Sequence, residues 1–243
     1  MRSFGLIGYP LTHSFSKKYF SEKFEREGIV DHEYHLYPLS QINQLEQVLA
    51  NVPTLAGLNV TIPYKEQVID FLDELSPIVS QIRACNCIHI KEGRLIGYNT
   101  DVIGFGRSLE PQLQSHHTQA LVLGTGGAAK AVHATLREKG IAFVQVSRKA
   151  SADAIAYEDI DRSIMEQHTL IINTTPLGMH PDTEGIPAIP YQFIGPTHYL
   201  FDLVYNPAET RFLQEGRLRG ASTKNGEDML VIQAEASWEI WNA

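Results

Sequence analysis

Lys65 and Asp101 are the two residues of this chain whose types best suit the movement of a proton. Lys65 stands in the run Asn59-Val60-Thr61-Ile62-Pro63-Tyr64-Lys65-Glu66. Leu58 to Ile62 reads as a short β-branched strand, and Pro63 suits the first position of a helix running to about Leu72. A lysine in a first helical turn meets the positive end of the macrodipole, so its charge adds little to local stability and is available to something outside the helix. The plain alternative is a surface lysine, snorkelling or paired with Glu66 or Glu46. Asp101, in Asn99-Thr100-Asp101, opens a further helix and could serve only as its cap. An acid and a lysine meeting in one cleft would hold complementary protonation states, a layout suited to proton transfer.

A second chemistry is written in Leu121-Val122-Leu123-Gly124-Thr125-Gly126-Gly127-Ala128-Ala129. Here a strand runs into a glycine turn and then a helix. Gly124, Gly126 and Ala129 occupy the three positions that give a tight turn, a close backbone approach and close helix–strand packing. Free N–H groups at the helix start would favour a pyrophosphate, so the segment predicts dinucleotide binding. The next strand, Phe143-Val144-Gln145-Val146, ends in Ser147-Arg148-Lys149, with no acid until Asp153. An acid there would accept from a ribose 2′-hydroxyl; a hydroxyl, a guanidinium and an ammonium suit a 2′-phosphate instead. NADP is therefore expected over NAD.

Three clusters carry donors that folding alone does not demand. Ser14 and Ser16 precede or open a helix over Lys17 to Gly28; either can be an N-cap, and together they could clamp a carboxylate. Asn86 lies between Cys85 and Cys87 on an expected strand, its side chain opposite to theirs, and a buried amide there needs partners. Gln233 interrupts the apolar helical run Met229-Leu230-Val231-Ile232-Gln233-Ala234, where it would meet a ligand or another helix.

The elements that must position these residues alternate along the chain. Phe4 to Gly8, His32 to Tyr37 and Leu58 to Ile62 read as strands, with helices over Lys17 to Gly28 and Gln41 to Ala50 between them. Cys85 to Ile90 and Arg94 to Tyr98 flank Glu92-Gly93 as a hairpin. A second α/β series has strands at Ala120 to Leu123, Phe143 to Val146, Thr169 to Asn173 and Tyr199 to Leu203. This pattern predicts an α/β protein of two domains: an N-terminal one with a mostly parallel sheet and a Rossmann-type one, with a C-terminal helix from Asp228 to Trp241 returning to the first. The expected domains are residues 1–101 with 226–243, and 102–225. The pair His116-His117 reads as a solvated loop rather than a metal site.

Bulk properties narrow the function classes. A chain of 243 residues, 43% hydrophobic and 20% charged, can bury a sizeable core. Its net charge of −8 argues against a nucleic-acid or anionic-membrane surface, while leaving room for an anionic small molecule held by local cations. The two cysteines, in C-x-C spacing, read as reduced thiols. No apolar run is long enough for a signal peptide or a membrane span, so a cytoplasmic protein, monomer or homodimer, is expected.

Taken together, the segments resemble the shikimate dehydrogenase family. The matching runs are Gly5 to Ser16, Asn59 to Lys65, Gly97 to Asp101, Gly124 to Ala129, Asn173 to Met179, Asp202 to Tyr205 and Met229 to Ala234, in family order and spanning nearly the whole chain. The resemblance implies a substrate domain for shikimate, an NADP domain, and reversible reduction of 3-dehydroshikimate in aromatic amino-acid and chorismate biosynthesis. It implies Lys65 beside the reacting C3 oxygen, paired with Asp101. Ser14, Ser16 and Tyr205 would lie at the substrate carboxylate, and Thr61, Asn86, Asp101 and Gln233 at its hydroxyls. It implies cofactor contacts at Gly124, Thr125, Gly126, Gly127, Ala128, Ala129, Ser147, Arg148, Lys149, Thr174, Leu203 and Gly226. The chain departs from the family pattern at Lys17-Lys18, Cys87, Ser147, Lys149 and Glu227-Asp228. Rival readings are a quinate/shikimate dehydrogenase using NAD, a non-catalytic dinucleotide or shikimate sensor, and a methylene-tetrahydrofolate dehydrogenase-like enzyme.

Overall fold

The computed structural model describes residues 1–11 and 14–243, so Thr12 and His13 of the serine segment lie outside the described residues. The chain forms two compact units, Met1–Ile103 with Leu230–Ala243, and Gly104–Met229.

The first unit is built from β1 (Arg2–Gly8), α1 (Phe15–Arg26), β2 (His32–Pro38), α2 (Leu45–Asn51), β3 (Leu55–Val60), β4 (Glu74–Leu75), α3 (Pro77–Ile82), β5 (Cys87–Lys91) and β6 (Arg94–Tyr98), followed by the start of α4 (Thr100–Leu109). Its sheet runs in the order β2-β1-β3-β5-β6-β4. β1 pairs in parallel with β2 and β3, and β4 with β6, whereas β5 is antiparallel to both its neighbours. β1 is buried along nearly its whole length, as a strand covered on both faces must be, which explains its unbroken apolar run. Glu92 (φ 53°) and Gly93 (φ 77°) turn the β5–β6 hairpin with two successive left-handed residues, the geometry a two-residue hairpin loop requires.

The second unit is a six-stranded sheet, wholly parallel, with strands β7 (Gln119–Leu123), β8 (Ala142–Ser147), β9 (Ile155–Ala156), β10 (Leu170–Asn173), β11 (Tyr199–Asp202) and β12 (Ser222–Lys224). The order is β12-β11-β10-β7-β8-β9, with α5 (Gly127–Glu138), α6 (Arg162–Gln167) and α7 (Arg211–Leu218) as crossovers. This is the doubly wound arrangement expected of strands that read as continuous apolar runs.

The last helix, α8 (Glu227–Trp241), packs its C-terminal part onto the first sheet. Trp241 lies against Gly57 of β3, where any side chain would occupy the indole's space, and its Nε1 donates to the Ile88 carbonyl at 2.9 Å. Phe4 and Trp241 stack at 4.9 Å, and Phe20 and Tyr34 at 4.8 Å. Truncating a buried tryptophan to alanine typically costs about 3–5 kcal/mol, so this anchor matters to the whole layer. Buried Lys23 of α1 reinforces it, reaching Glu235 of α8 at 2.9 Å and Glu27 at 3.0 Å. A buried ammonium is tolerable only when paired in this way.

Three expectations fail. The helix predicted from Pro63 is absent: residues 62–66 form turns, and a 3₁₀ helix follows at Gln67–Phe71. The Lys65 carbonyl accepts from the Cys85 amide at 2.7 Å instead of from Ile69, so the α-helical ladder cannot propagate through it. Lys65 therefore does not oppose a helix macrodipole. Cys85 and Cys87 do not share a face: Cys85 packs with Leu58 and Ile88, and Cys87 with Phe4 and Trp241, because regular strand pairing begins only at Cys87. His117 is not solvated: buried, it accepts the Gln114 amide on Nδ1 at 2.9 Å and donates from Nε2 to the Thr197 carbonyl at 3.2 Å. Burial lowers its pKa below the usual imidazole value, which fits this neutral tautomer. Among the described residues no helix is long and apolar enough to cross a membrane, and no group of three or more His, Cys, Asp or Glu is arranged to hold a metal ion.

Candidate active site

In the first unit the Lys65 Nζ lies 2.6 Å from Asp101 Oδ2, both side chains largely but not wholly buried at 19% and 11% exposure. Such a pair is shielded enough to be strong and open enough to reach a small molecule. Asp101 sits in the first turn of α4, where the helix dipole favours a carboxylate. Lys65 is placed by its backbone, the carbonyl held by Cys85, and by its neighbour Tyr64, buried with its hydroxyl donating to the Leu39 carbonyl at 2.5 Å.

The start of α4 is capped from two sides. The Asn86 Oδ1 accepts the Thr100 amide at 2.6 Å, and the Asn99 Oδ1 accepts the Val102 amide at 3.2 Å. Asn86 Nδ2 also reaches Thr100 Oγ1 at 3.0 Å. From Thr100 a buried polar chain continues to Ser237 Oγ at 3.1 Å, from there to Asn59 Nδ2 at 3.0 Å, and from Asn59 Oδ1 to the Tyr34 hydroxyl at 2.8 Å. Burial drives the Tyr34 phenol well above its ordinary pKa, only partly opposed by the Ser16 hydroxyl, so it stays a donor. Sequence reading missed this chain. Asn59 inside an apolar strand, and Ser237 four residues after Gln233 on one helix face, were the available signals.

The other sequence-predicted residues of this unit fall as follows. Ser14 is the N-cap of α1, accepting the Lys17 amide at 3.2 Å. That use leaves its hydroxyl proton free to donate. Ser16 is half-buried in the first turn of α1. Thr61 follows β3, its amide donating to Ile7 at 2.9 Å. Buried Gln233 gives Nε2 to the Leu230 carbonyl at 3.0 Å and faces Thr100 Oγ1 with Oε1 at 3.5 Å. Thus Lys65 meets Asp101, and Asn86 and Gln233 meet at Thr100. Cys85 lies close enough to feel both charges, yet burial pushes its thiol up to about 12, which leaves it protonated and unreactive.

In the second unit the glycine turn joins β7 to α5. Gly124 adopts φ +108°, and a Cβ there would lie 2.8 Å from Thr174 Oγ1 and 2.9 Å from Thr175 Cγ2, so only glycine fits. Its carbonyl accepts from Gln145 Nε2 at 2.9 Å, and the Leu123 carbonyl before it from Thr174 Oγ1 at 2.7 Å. Gly126 and Gly127 face open space. Gly126 is the N-cap of α5, whose first turn has neither a capping side chain nor an acid, so its amides are presented to an incoming anion. Thr125 lies within the turn, Ala128 is half-buried in the first turn of α5, and Ala129 is buried against the sheet. These observations fit a dinucleotide pyrophosphate.

At the end of β8 the Ser147 hydroxyl donates to the Lys149 carbonyl, closing the loop so that Arg148 and Lys149 are exposed. Gly226 packs directly on the Leu203 backbone, its amide donating to the Val204 carbonyl at 3.2 Å, and Tyr205 is exposed next to it in sequence. Beneath these loops a second cluster missed by sequence reading joins β10 to β11. Asp202 Oδ1 accepts from Asn173 Nδ2 at 2.9 Å and from the Val204 amide at 3.0 Å, while Oδ2 accepts the Thr210 hydroxyl at 2.6 Å.

Known proteins bear on these two sites. A family model described as the shikimate dehydrogenase substrate binding domain matches residues 6–88. A shikimate dehydrogenase (NADP(+)) of Methanococcus maripaludis is 37% identical over 254 residues, covering 98% of this chain and 90% of the relative. The structure of the Thermus thermophilus shikimate 5-dehydrogenase in complex with NADP(H) and shikimate is similar, with TM-score 0.87 and 30% identity over 99% of this chain and 93% of that one. That of the Listeria monocytogenes shikimate 5-dehydrogenase in complex with shikimate and NAD has TM-score 0.89 and 26% identity over 100% of this chain and 92% of that one. With matches of this identity running almost end to end, through the lysine–aspartate segments and the glycine turn alike, this chain belongs to the shikimate dehydrogenase family.

Proposed function

We propose that this chain is an NADP-dependent shikimate dehydrogenase, interconverting 3-dehydroshikimate and shikimate, with Lys65 and Asp101 handling the proton. The observation that carries the reading is the 2.6 Å Lys65–Asp101 pair, half-shielded and braced by its own network. We assign residues 1–101 with 226–243 to the substrate and 102–225 to NADP.

In the reducing direction negative charge develops on the C3 oxygen of the substrate. The Lys65 ammonium stabilises that charge and passes a proton to the oxygen from Nζ, and the Asp101 carboxylate orients the amine through its hydrogen bond. In the reverse direction the same amine receives the proton. Donors left over by the internal network are suited to the substrate. Ser14 keeps a hydroxyl proton for the carboxylate, and Ser16, half-buried in the first turn of α1, and Tyr205 would serve it as well. Asn86 and Gln233 each retain one Nδ2 or Nε2 hydrogen for ring hydroxyls, and Thr61 adds its own.

NADP, when bound, supplies or accepts the hydride. Gly124, Thr125, Gly126, Gly127, Ala128 and Ala129 would hold its pyrophosphate, the open space at Gly126 and Gly127 supporting the fit. Ser147, Arg148 and Lys149 would hold the 2′-phosphate: two exposed cations and no acid suit a dianion better than a bare ribose. Thr174, Leu203 and Gly226 would line the remainder.

The test is the initial rate for shikimate and quinate, each with NADP⁺ and NAD⁺. Turnover of shikimate with NADP⁺ well above the other three pairs is expected. Preference for quinate or NAD⁺ would move the chain to the broader quinate/shikimate reading, and no turnover with any pair would refute the enzymatic one.

A further inference from the structure

Three of the hydrogen bonds made by the short segment Ala84–Asn86 lead to the proton-transfer pair. The Cys85 amide donates to the Lys65 carbonyl at 2.7 Å. The Ala84 carbonyl accepts from Asn99 Nδ2 at 2.9 Å. The Asn86 side chain takes the Thr100 amide at 2.6 Å. Asn99 is the piece that closes the loop. Its other amide atom, Oδ1, caps α4 at Val102, one residue beyond Asp101. A continuous ring of bonds therefore runs from Asp101 to Lys65 through the side chains, back along the Lys65 carbonyl to Cys85, across to Ala84, and through Asn99 to the turn that carries Asp101.

We infer that Asn99 is a positioning residue for the Lys65–Asp101 pair, fixing the separation of the two backbones from which those side chains reach. The inference rests on the assignment of that pair to the reaction. Asn99 is buried at 4% exposure, so its amide exchanges little with water and both its bonds bear on geometry. Neither charge touches it, so it moves no proton itself. An N-cap alone would be satisfied by serine or aspartate, which offer an acceptor to Val102. Aspartate offers only acceptors, and serine or threonine has a single oxygen to serve both partners; asparagine alone of the good capping residues presents an acceptor and a separate N–H donor, here Oδ1 to Val102 and Nδ2 to Ala84. The requirement for both explains the residue type at a position where helix capping alone leaves several choices.

The variants that separate the two bonds are Asn99→Ser and Asn99→Asp, which keep a cap acceptor and lose Nδ2, the atom that reaches the Ala84 carbonyl. Purified full-length variants and wild type are compared in kcat, KM for NADP⁺, and the pH profile of kcat/KM with shikimate. Ser3→Ala, which removes a part-buried 2.8 Å hydrogen bond to Thr54, serves as control for generic loosening. The expected result is kcat lowered about 10- to 100-fold, as when reacting groups slip by about an ångström. The limb of the pH profile set by the pair should shift by about half a unit or more, with KM for NADP⁺ within about twofold of wild type. Ser3→Ala should leave the profile in place. Variants of normal helical content whose kcat and pH profile match wild type would overturn the inference while leaving the function intact. A wild type that turns over no shikimate would instead remove the functional reading and the inference with it.

Discussion

In Met1–Ile103 with Leu230–Ala243, the candidate residues are side chains held in place by other side chains; in Gly104–Met229, they are mostly backbone groups made approachable because side chains are missing. The first arrangement is a buried network from Tyr34 through Asn59, Ser237 and Thr100 to Asn86, with the Lys65–Asp101 ion pair beside it. The second is a turn where Gly124 has no room for a Cβ, followed by Gly126 and Gly127 with open space and an uncapped helix. The first should thus be damaged by removing functional groups and the second by adding atoms. Proton chemistry needs a group of definite basicity at a fixed point, which only a side chain supplies. A pyrophosphate needs several weak donors on a concave surface, which backbone amides supply at a helix start.

The largest break in that contrast is expected from Lys65→Ala. Turnover should fall about 10³-fold, in the range for loss of a general acid–base group, while shikimate binding measured by calorimetry largely survives. Binding lost in parallel with rate would make Lys65 a binding group instead.

The Asp202 carboxyl gives the second unit its own side-chain anchor and a pH signature. Burial pushes its pKa from 3.8 up to about 6, against the opposing donors Thr210, Val204 and Asn173. Because the folded value lies above the unfolded one, the folded state keeps a proton that the unfolded state releases. Stability therefore falls as pH rises from about 4 to about 6, a linkage of about 3 kcal/mol at 1.36 kcal/mol per unit. His133 slopes the other way: burial, then Arg137, lowers its pKa to about 4, so stability rises with pH from about 4 to 6.5. Asp202→Asn removes the first slope and leaves the second. In denaturant unfolding its stability relative to wild type should improve by about 3 kcal/mol between pH 3.5 and 7. A pH-independent difference would show that the carboxyl titrates normally.

Gly124→Ala tests the added-atom half of the comparison. The new Cβ meets Thr174 and Thr175 at a left-handed φ, so a destabilisation of about 2 kcal/mol and a raised KM for NADP⁺ are expected, with shikimate affinity unchanged. A variant with normal thermal stability would mean the loop after β10 moves aside freely. The smallest effect is expected from Arg148→Ala. KM for NADP⁺ should rise about tenfold, equivalent to about 1.4 kcal/mol, with KM for NAD⁺ unaffected. Unchanged cofactor kinetics would remove Arg148 from the 2′-phosphate site.

The strand-and-helix rhythm, the β5–β6 hairpin, the glycine turn and the apolar face of α8 were legible because they are local. Each depends on a side-chain period or a turn residue within a few positions. Where an amide or carbonyl finds its partner far along the chain, local reading failed. The segment after Pro63 looks helical until the Cys85 amide takes the Lys65 carbonyl. Cys85 and Cys87 look like neighbours on one strand face until pairing begins at Cys87. His117 looks like a solvated loop residue until Gln114 and Thr197 satisfy both its ring nitrogens.

The sequence by itself determined which residues carry charge, hydroxyl and glycine, and through local periodicity which elements bear them. The meeting of Lys65 with Asp101, 36 residues away, was decided only by the tertiary structure. So were the bond from Asn86 to the start of α4 and the joining of β10 to β11 through Asp202. Each of these depends on hydrogen bonds between segments distant in the chain, whose partners are chosen by packing and by the need to satisfy every buried polar group. Such choices have no period and no fixed spacing, so they leave no local trace in the sequence.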